Sequence, residues 1–230
     1  MLRQKLYSAG LMIYCSLVTF SDIQKESGSG AKRVTDNSTI TSKQPVLNSP
    51  GFDFNPAALQ FAKEYIKKNE WSLEKVKKRS EPRFLVINSV FSKYGVPAEL
   101  KYLAIVESDL NADTVCNSTG ATGMWQLMPV TACELGLKIT DTVDERLHVY
   151  KSSTAAAKYL RQLYAEFGDW LLVIDAYNSG PGKVDRAINL SGYRNFWQLQ
   201  NFLPAETRSH VKRFVATLYF FEGQNKAAIQ

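Results

Sequence analysis

The chain has 230 residues, 45% of them hydrophobic and 12% aromatic, with a formal net charge of +6. From Phe52 onward that is enough apolar material to bury one substantial core, so one domain with an appendage is expected. The basic balance attracts anionic polymers without naming one, and no arginine-rich run or basic patch interleaved with aromatics supports nucleic acid. Three cysteines and two histidines show no metal-ligand spacing, so neither a metal nor a cofactor is expected.

Residues 1–21 read as a signal peptide. Arg3 and Lys5 precede the apolar run 11–20, and Thr19, Phe20 and Ser21 stand where a signal peptidase reads. An uncleaved anchor is the alternative, although the run is short for one. Ile13 and Tyr14 before Cys15 are too bulky for a lipobox. Cleavage removes Arg3 and Lys5 and no acid, so the charge falls by two, from +6 to +4. Export to the periplasm or cell envelope is expected, with membrane association left open. Residues 22–51, rich in Ser, Thr, Lys, Asn and Gly, cannot offset the entropy of ordering and read as a flexible polar linker. Residues 52–230 then form a single domain, expected to be monomeric. In an oxidising compartment Cys116 and Cys133 could pair and close the loop between them, or stay as two thiols, and spacing does not decide.

Within the domain, Asn55-Pro56 supplies a cap and a first-turn proline, and Leu59, Phe61, Ala62, Tyr65 and Ile66 carry a helix over 55–69. Phe84, Ile87, Val90, Phe91 and Tyr94 recur at helical spacing over 80–94, with Gly95 as its cap. Pro97 starts the next helix, over 97–108. A polar glycine-bearing loop leads to a helix over 129–137 and a loop over 138–143. Asp144 opens a long helix that passes Leu163 and ends at Gly168. The apolar helix 170–177 is broken by Asn178-Ser179-Gly180-Pro181-Gly182, 184–188 makes a short turn, and an amphipathic helix covers 205–221. No segment alternates as a strand and no repeat appears, so the fold class is all-α.

The chemistry centres on Glu107. Leu100, Leu103, Ala104 and Glu107 fall at i, i+3, i+4 and i+7, so a carboxylate continues an apolar stripe and points inward. Burial removes hydration from the charged form and favours the protonated one, which is what a general acid needs. A glutamate at a fraying helix end, turned to solvent or paired with a lysine, is the other reading. Gly120 and Gly123 permit positive φ, and Gln126 offers an amide that can donate to and accept from a sugar. Tyr177 combines an apolar face with a polar tip, and Asn178 adds a second amide. A satisfied core tyrosine and a turn asparagine would explain these two equally simply.

Four ordered motifs give these residues a context: Glu107-Ser108, Gly123-Met124-Trp125-Gln126-Leu127-Met128-Pro129, Ala176-Tyr177-Asn178-Ser179-Gly180-Pro181-Gly182, and Leu203-Pro204-Ala205-Glu206-Thr207-Arg208. With them the chain resembles the soluble lytic transglycosylases of bacterial cell walls, which share a fold with goose-type lysozyme, over roughly residues 96–216. The resemblance implies a lysozyme-like helical domain with Glu107 as the sole catalytic acid/base. It further implies that Ser108 helps to fix that glutamate, that Gln126, Met128, Tyr177 and Asn178 line a sugar groove, and that Glu206 is a supporting acid. The implied partner is the peptidoglycan glycan strand, with an envelope machinery partner left open. The implied reaction cleaves the β-1,4 bond between N-acetylmuramic acid and N-acetylglucosamine and leaves a 1,6-anhydro end.

The chain departs from the family pattern at Trp125, where methionine is more common, at Ser179, where alanine is usual, and at His210, where tyrosine is expected. None of the three is expected to touch Glu107. Two rivals remain: a muramidase that activates water with a second carboxylate such as Asp113 or Glu206, and a wall-binding protein without turnover.

Overall fold

The computed structural model describes residues 52 and 55–227, and the expected signal peptide and linker lie outside the described residues. Those residues are all-α. The helices are α1 Pro56–Tyr94, α2 Leu103–Ser108, α3 Pro129–Glu134, α4 Val149–Phe167, α5 Trp170–Ser179, α6 Pro181–Ser191, α7 Phe196–Leu199 and α8 Ala205–Ala227. In place of strands there are isolated bridges that fold the loops onto themselves, Val115 with Thr122, Thr122 with Leu127 and Ile139 with Asp144.

Several boundaries differ from the sequence reading, each for a local reason. The helices expected at 55–69 and 80–94 are one 39-residue helix, α1. Residues 70–79 contain no breaker, and Leu73, Val76 and Ser80 continue the buried face across the supposed gap. Pro82 lies inside α1 on its exposed side, and Lys78, whose carbonyl loses its amide partner to the proline ring, is exposed where water can serve it. The helix expected over 97–108 begins as a 3-10 segment, Ala98–Tyr102, before α2 takes over. Its tighter winding starts where the Leu100 N–H bonds the Pro97 carbonyl at 3.1 Å.

The long helix does not open at Asp144. That side chain accepts from the Arg146 N–H and caps a 3-10 turn, Glu145–Leu147. His148 then caps α4, its Nδ1 accepting from the Lys151 N–H at 3.4 Å. Exposed His148 was expected inside that helix and instead stands just before it. Asn178 and Ser179 remain helical in α5, which ends at Gly180 with φ 87°. The expected short turn at 184–188 is the 11-residue α6, started by Pro181.

Every residue of α5 is buried, because it packs against α4, α6 and α8, while α1 lies along α8 and α4. The short α2 rests on α8. No disulfide joins the described cysteines: Cys116 is buried beside Ser118, and Cys133 is exposed on α3.

Candidate active site

The stripe read from the sequence survives the change of winding. Leu100, Leu103 and Ala104 are fully buried and Glu107 is 8% exposed, so the carboxyl enters the interior one residue before α2 ends. The helix stops because Asp109 and Leu110 both take left-handed backbone, at φ 52° and 61°. Two non-glycine residues in that region cost free energy that the surrounding contacts must offset. One such contact is Arg79 of α1, which donates Nη2–H to the Asp109 carbonyl at 2.6 Å. Another is Ser108, whose Oγ lies 2.9 Å from the Met124 carbonyl, donating to it, and accepts from the Asn111 N–H at 3.1 Å. Ser108 thus ties the end of α2 to the glycine-bearing loop.

The side chain of Glu107 meets His210 of α8, with Oε1 at 3.0 Å from Nε2 and the imidazole fully buried. This corrects the expectation that no departure from the family pattern touches the acid. The other two departures are structural. The Trp125 indole donates Nε1–H to Ser153 at 3.0 Å and packs on Phe91 with ring centroids 5.5 Å apart. Ser179 donates to Asp175 Oδ1 at 3.2 Å within α5.

The loop between α2 and α3 is built as a clamped hairpin. Gly123, at φ 82°, lies so close to Arg146 that a Cβ would overlap the Arg146 carbonyl. Buried Arg146 donates Nη1–H to the carbonyls of Gly120 and Leu127, at 2.7 and 2.9 Å, and the rest of its guanidinium to Asp144. Those bonds hold the Asp144 carboxyl below its ordinary range. The sequence reading missed Arg146, because its partners are carbonyls nineteen and twenty-six residues away. No local pattern announces such a contact.

The expected groove residues divide. Gln126, with φ 46°, is buried and commits its amide nitrogen to the Gly123 and Thr114 carbonyls at 2.8 and 3.3 Å. The donor half of the amide is therefore occupied within the loop. Met128 is half-buried. Tyr177 is buried, with its hydroxyl donating to the Trp125 carbonyl at 2.8 Å and its ring against Tyr159. Burial first, and then the nearby charge of Glu107, push its phenol well above the ordinary range. Asn178 is buried at the same end of α5. Glu206 is exposed in the first turn of α8, one turn before His210. The rival carboxylate Asp113 is also outside, and Asp109, just beyond α2, is exposed as well. Among the described residues no group of three or more His, Cys, Asp or Glu is arranged to hold a metal ion.

An all-α domain that delivers one glutamate from a short helix into its interior, against a clamped glycine loop, has the plan of a lysozyme-like fold. The chain belongs to the transglycosylase SLT domain family, whose model matches residues 86–200. It is 38% identical over 154 residues to membrane-bound lytic murein transglycosylase D of Escherichia coli K12, covering 65% of this chain and 33% of that protein. Over 73 residues it is 42% identical to peptidoglycan transglycosylase gp16 of Escherichia phage T7, covering 31% of this chain and 6% of that one. The crystal structure of the 70 kDa soluble lytic transglycosylase of Escherichia coli superposes with a TM-score of 0.54 at 25% identity, covering 72% of this chain and 30% of that one. The chain thus spans about a third of the length of the membrane-bound relative it matches.

Proposed function

We propose that the chain cleaves peptidoglycan as a lytic transglycosylase, with Glu107 as its single acid and base. Protonated Glu107 gives its proton to the β-1,4 glycosidic oxygen between N-acetylmuramic acid and N-acetylglucosamine. The same carboxylate then takes the proton of the muramyl 6-hydroxyl, whose oxygen closes on the anomeric carbon and leaves a 1,6-anhydro end. The proton count closes on one carboxyl. Gln126, Met128, Tyr177 and Asn178 shape the sugar groove, Ser108 holds the glutamate in place, and Glu206 lies at the rim.

The observation that carries this reading is the contrast between Glu107, buried and bonded to His210, and Asp109, Asp113 and Glu206, all exposed. A two-carboxylate glycosidase needs its second acid across the scissile bond from the first, within about 10 Å, and neither of the candidates, Asp113 and Glu206, is buried beside Glu107. The relatives named above, whose own names state murein or peptidoglycan transglycosylase activity, support the substrate. Export by residues 1–21, with 22–51 as a tether, would bring a monomeric domain to the glycan strands of the envelope.

Mass spectrometry of muropeptides released from peptidoglycan tests the proposal. Anhydro-muropeptides, one water lighter than reducing products, are expected from the wild type and none from Glu107→Gln. Reducing ends would replace the reading with hydrolysis. Retained binding without any product would leave a wall-binding protein.

A further inference from the structure

We propose that His210 is the positioning residue of the acid: its buried imidazole holds the Glu107 carboxyl in the orientation that proton transfer requires. The inference rests on the transglycosylase reading for its kinetics, and on the contact itself for its chemistry.

Nε2 of His210 lies 3.0 Å from Oε1 of Glu107, with the two side chains 0% and 2% exposed. Removal from water strengthens that bond and restricts rotation of the carboxyl. A tyrosine at this position, which the family pattern leads one to expect, could also bond the glutamate through its hydroxyl. An imidazole can donate through one tautomer and accept through the other, so the same contact can hold the carboxyl both as the carboxylate and as the acid. Over one turnover the carboxyl loses its proton to the glycosidic oxygen and regains one from the 6-hydroxyl, and the imidazole ends as it began.

Other ionisable groups surround the pair. Tyr177 on α5 is coupled to the charge of Glu107. On α8, Glu206 lies one turn before His210 and Arg213 about one turn beyond it. From α1, Tyr65 is coupled to Arg213 and to Asp109. Asp175, the remaining acid of α5, is coupled to Lys183 instead. None of these is bonded to Glu107 as His210 is.

The test compares the wild type with His210→Tyr, His210→Phe and Glu107→Gln. His210→Phe should lower kcat by about 10- to 100-fold, the worth of one hydrogen bond to a charged group, with KM little changed. His210→Tyr should recover part of that loss. In NMR spectra the chain offers two histidines, and exposed His148 serves as reference. Glu107→Gln should shift the ring resonances of His210 and leave those of His148 in place.

A kcat of His210→Phe equal to that of the wild type, with His210 resonances unmoved by Glu107→Gln, would overturn the inference and leave the transglycosylase reading intact. Shifted His210 resonances in a protein that releases no anhydro product would overturn the reading and uphold the contact. Misfolding of His210→Phe leaves the tyrosine variant and the NMR spectra to decide.

Discussion

Tyr177 donates its hydroxyl to the main-chain carbonyl of Trp125 at 2.8 Å, joining residues 52 positions apart. The bond ties the buried helix α5 to the loop that carries Gln126, and it spends the polar end of the tyrosine on structure.

Tyr177→Phe should therefore destabilise the fold by about 1–3 kcal/mol, since a buried carbonyl loses its donor while the ring keeps its packing against Tyr159. Urea denaturation reads the loss directly. Turnover should fall too, because the loop next to Glu107 loosens. A variant as stable and as active as wild type would show that the bond holds nothing.

Arg146 makes the opposite kind of contact, one cation serving several acceptors. Arg146→Met removes one of the two donors from each of the Gly120 and Leu127 carbonyls, which keep the hydroxyl and N–H of Thr122, and leaves Asp144 with only the N–H of residue 146. The expected cost is about 2–5 kcal/mol. The pH dependence carries a sign. Asp144 is held below its ordinary range in the fold, chiefly by the hydrogen bonds from Arg146. Its contribution is therefore present above the ordinary aspartate value and is lost as pH falls through the lowered one. Stability should drop in acid below about pH 4, and the drop should be shallower in Arg146→Met. Denaturation midpoints at pH 3 and pH 6 (about one unit below and two above the ordinary aspartate value) make the comparison.

Gly123 and Gly136 separate backbone strain from steric overlap. Both have positive φ, 82° and 88°, but a Cβ at Gly136 meets open space while one at Gly123 runs into the Arg146 carbonyl. Gly136→Ala should cost about 1–2 kcal/mol, the strain of a left-handed alanine. Gly123→Ala should cost more, and should lower glycan cleavage with it, because the loop and Arg146 must separate. Thermal melts and cleavage rates of the two variants settle the point, and equal losses would refute the clamp.

These positions also mark what could be read from the chain alone. The all-α class and the inward face of Glu107 follow from 3.6-residue periodicity, which is local, and that periodicity survives a 3-10 start because burial selects the same residues. The split of α1 was an error of the same local kind: Trp71 is 77% exposed and interrupts the apolar pattern without interrupting the helix. Arg146, Trp125 with Ser153, and His210 with Glu107 were illegible for another reason. Each joins segments between 19 and 103 residues apart, and only the packing of α2 and α5 on α8 creates the third. The motif match could report that His210 was unusual. It could not say that the unusual residue would lie against the acid.

Asp175 offers a test in which removing a charge strengthens the fold. It is fully buried in α5, with Oδ1 accepting from Ser179 and Oδ2 without a hydrogen-bond partner among the described residues. Burial raises its carboxyl from 3.8 to about 7, against the smaller opposing effects of Ser179 and Lys183. For an acid raised in the fold the linkage runs opposite to that of Asp144. Below the ordinary value both folded and unfolded chains hold the proton, and there is no penalty. As pH rises the unfolded chain releases it first, so stability falls progressively until the folded group titrates near 7 and then levels off. Asp175→Asn cannot ionise, and should abolish that slope while keeping an acceptor for Ser179. The variant should gain on the wild type between pH 3 and pH 8, two points that bracket the 3.8 and about 7 of the unfolded and folded groups. Denaturant midpoints across that window give the answer: parallel curves for the two proteins would mean that Asp175 keeps its charge when folded.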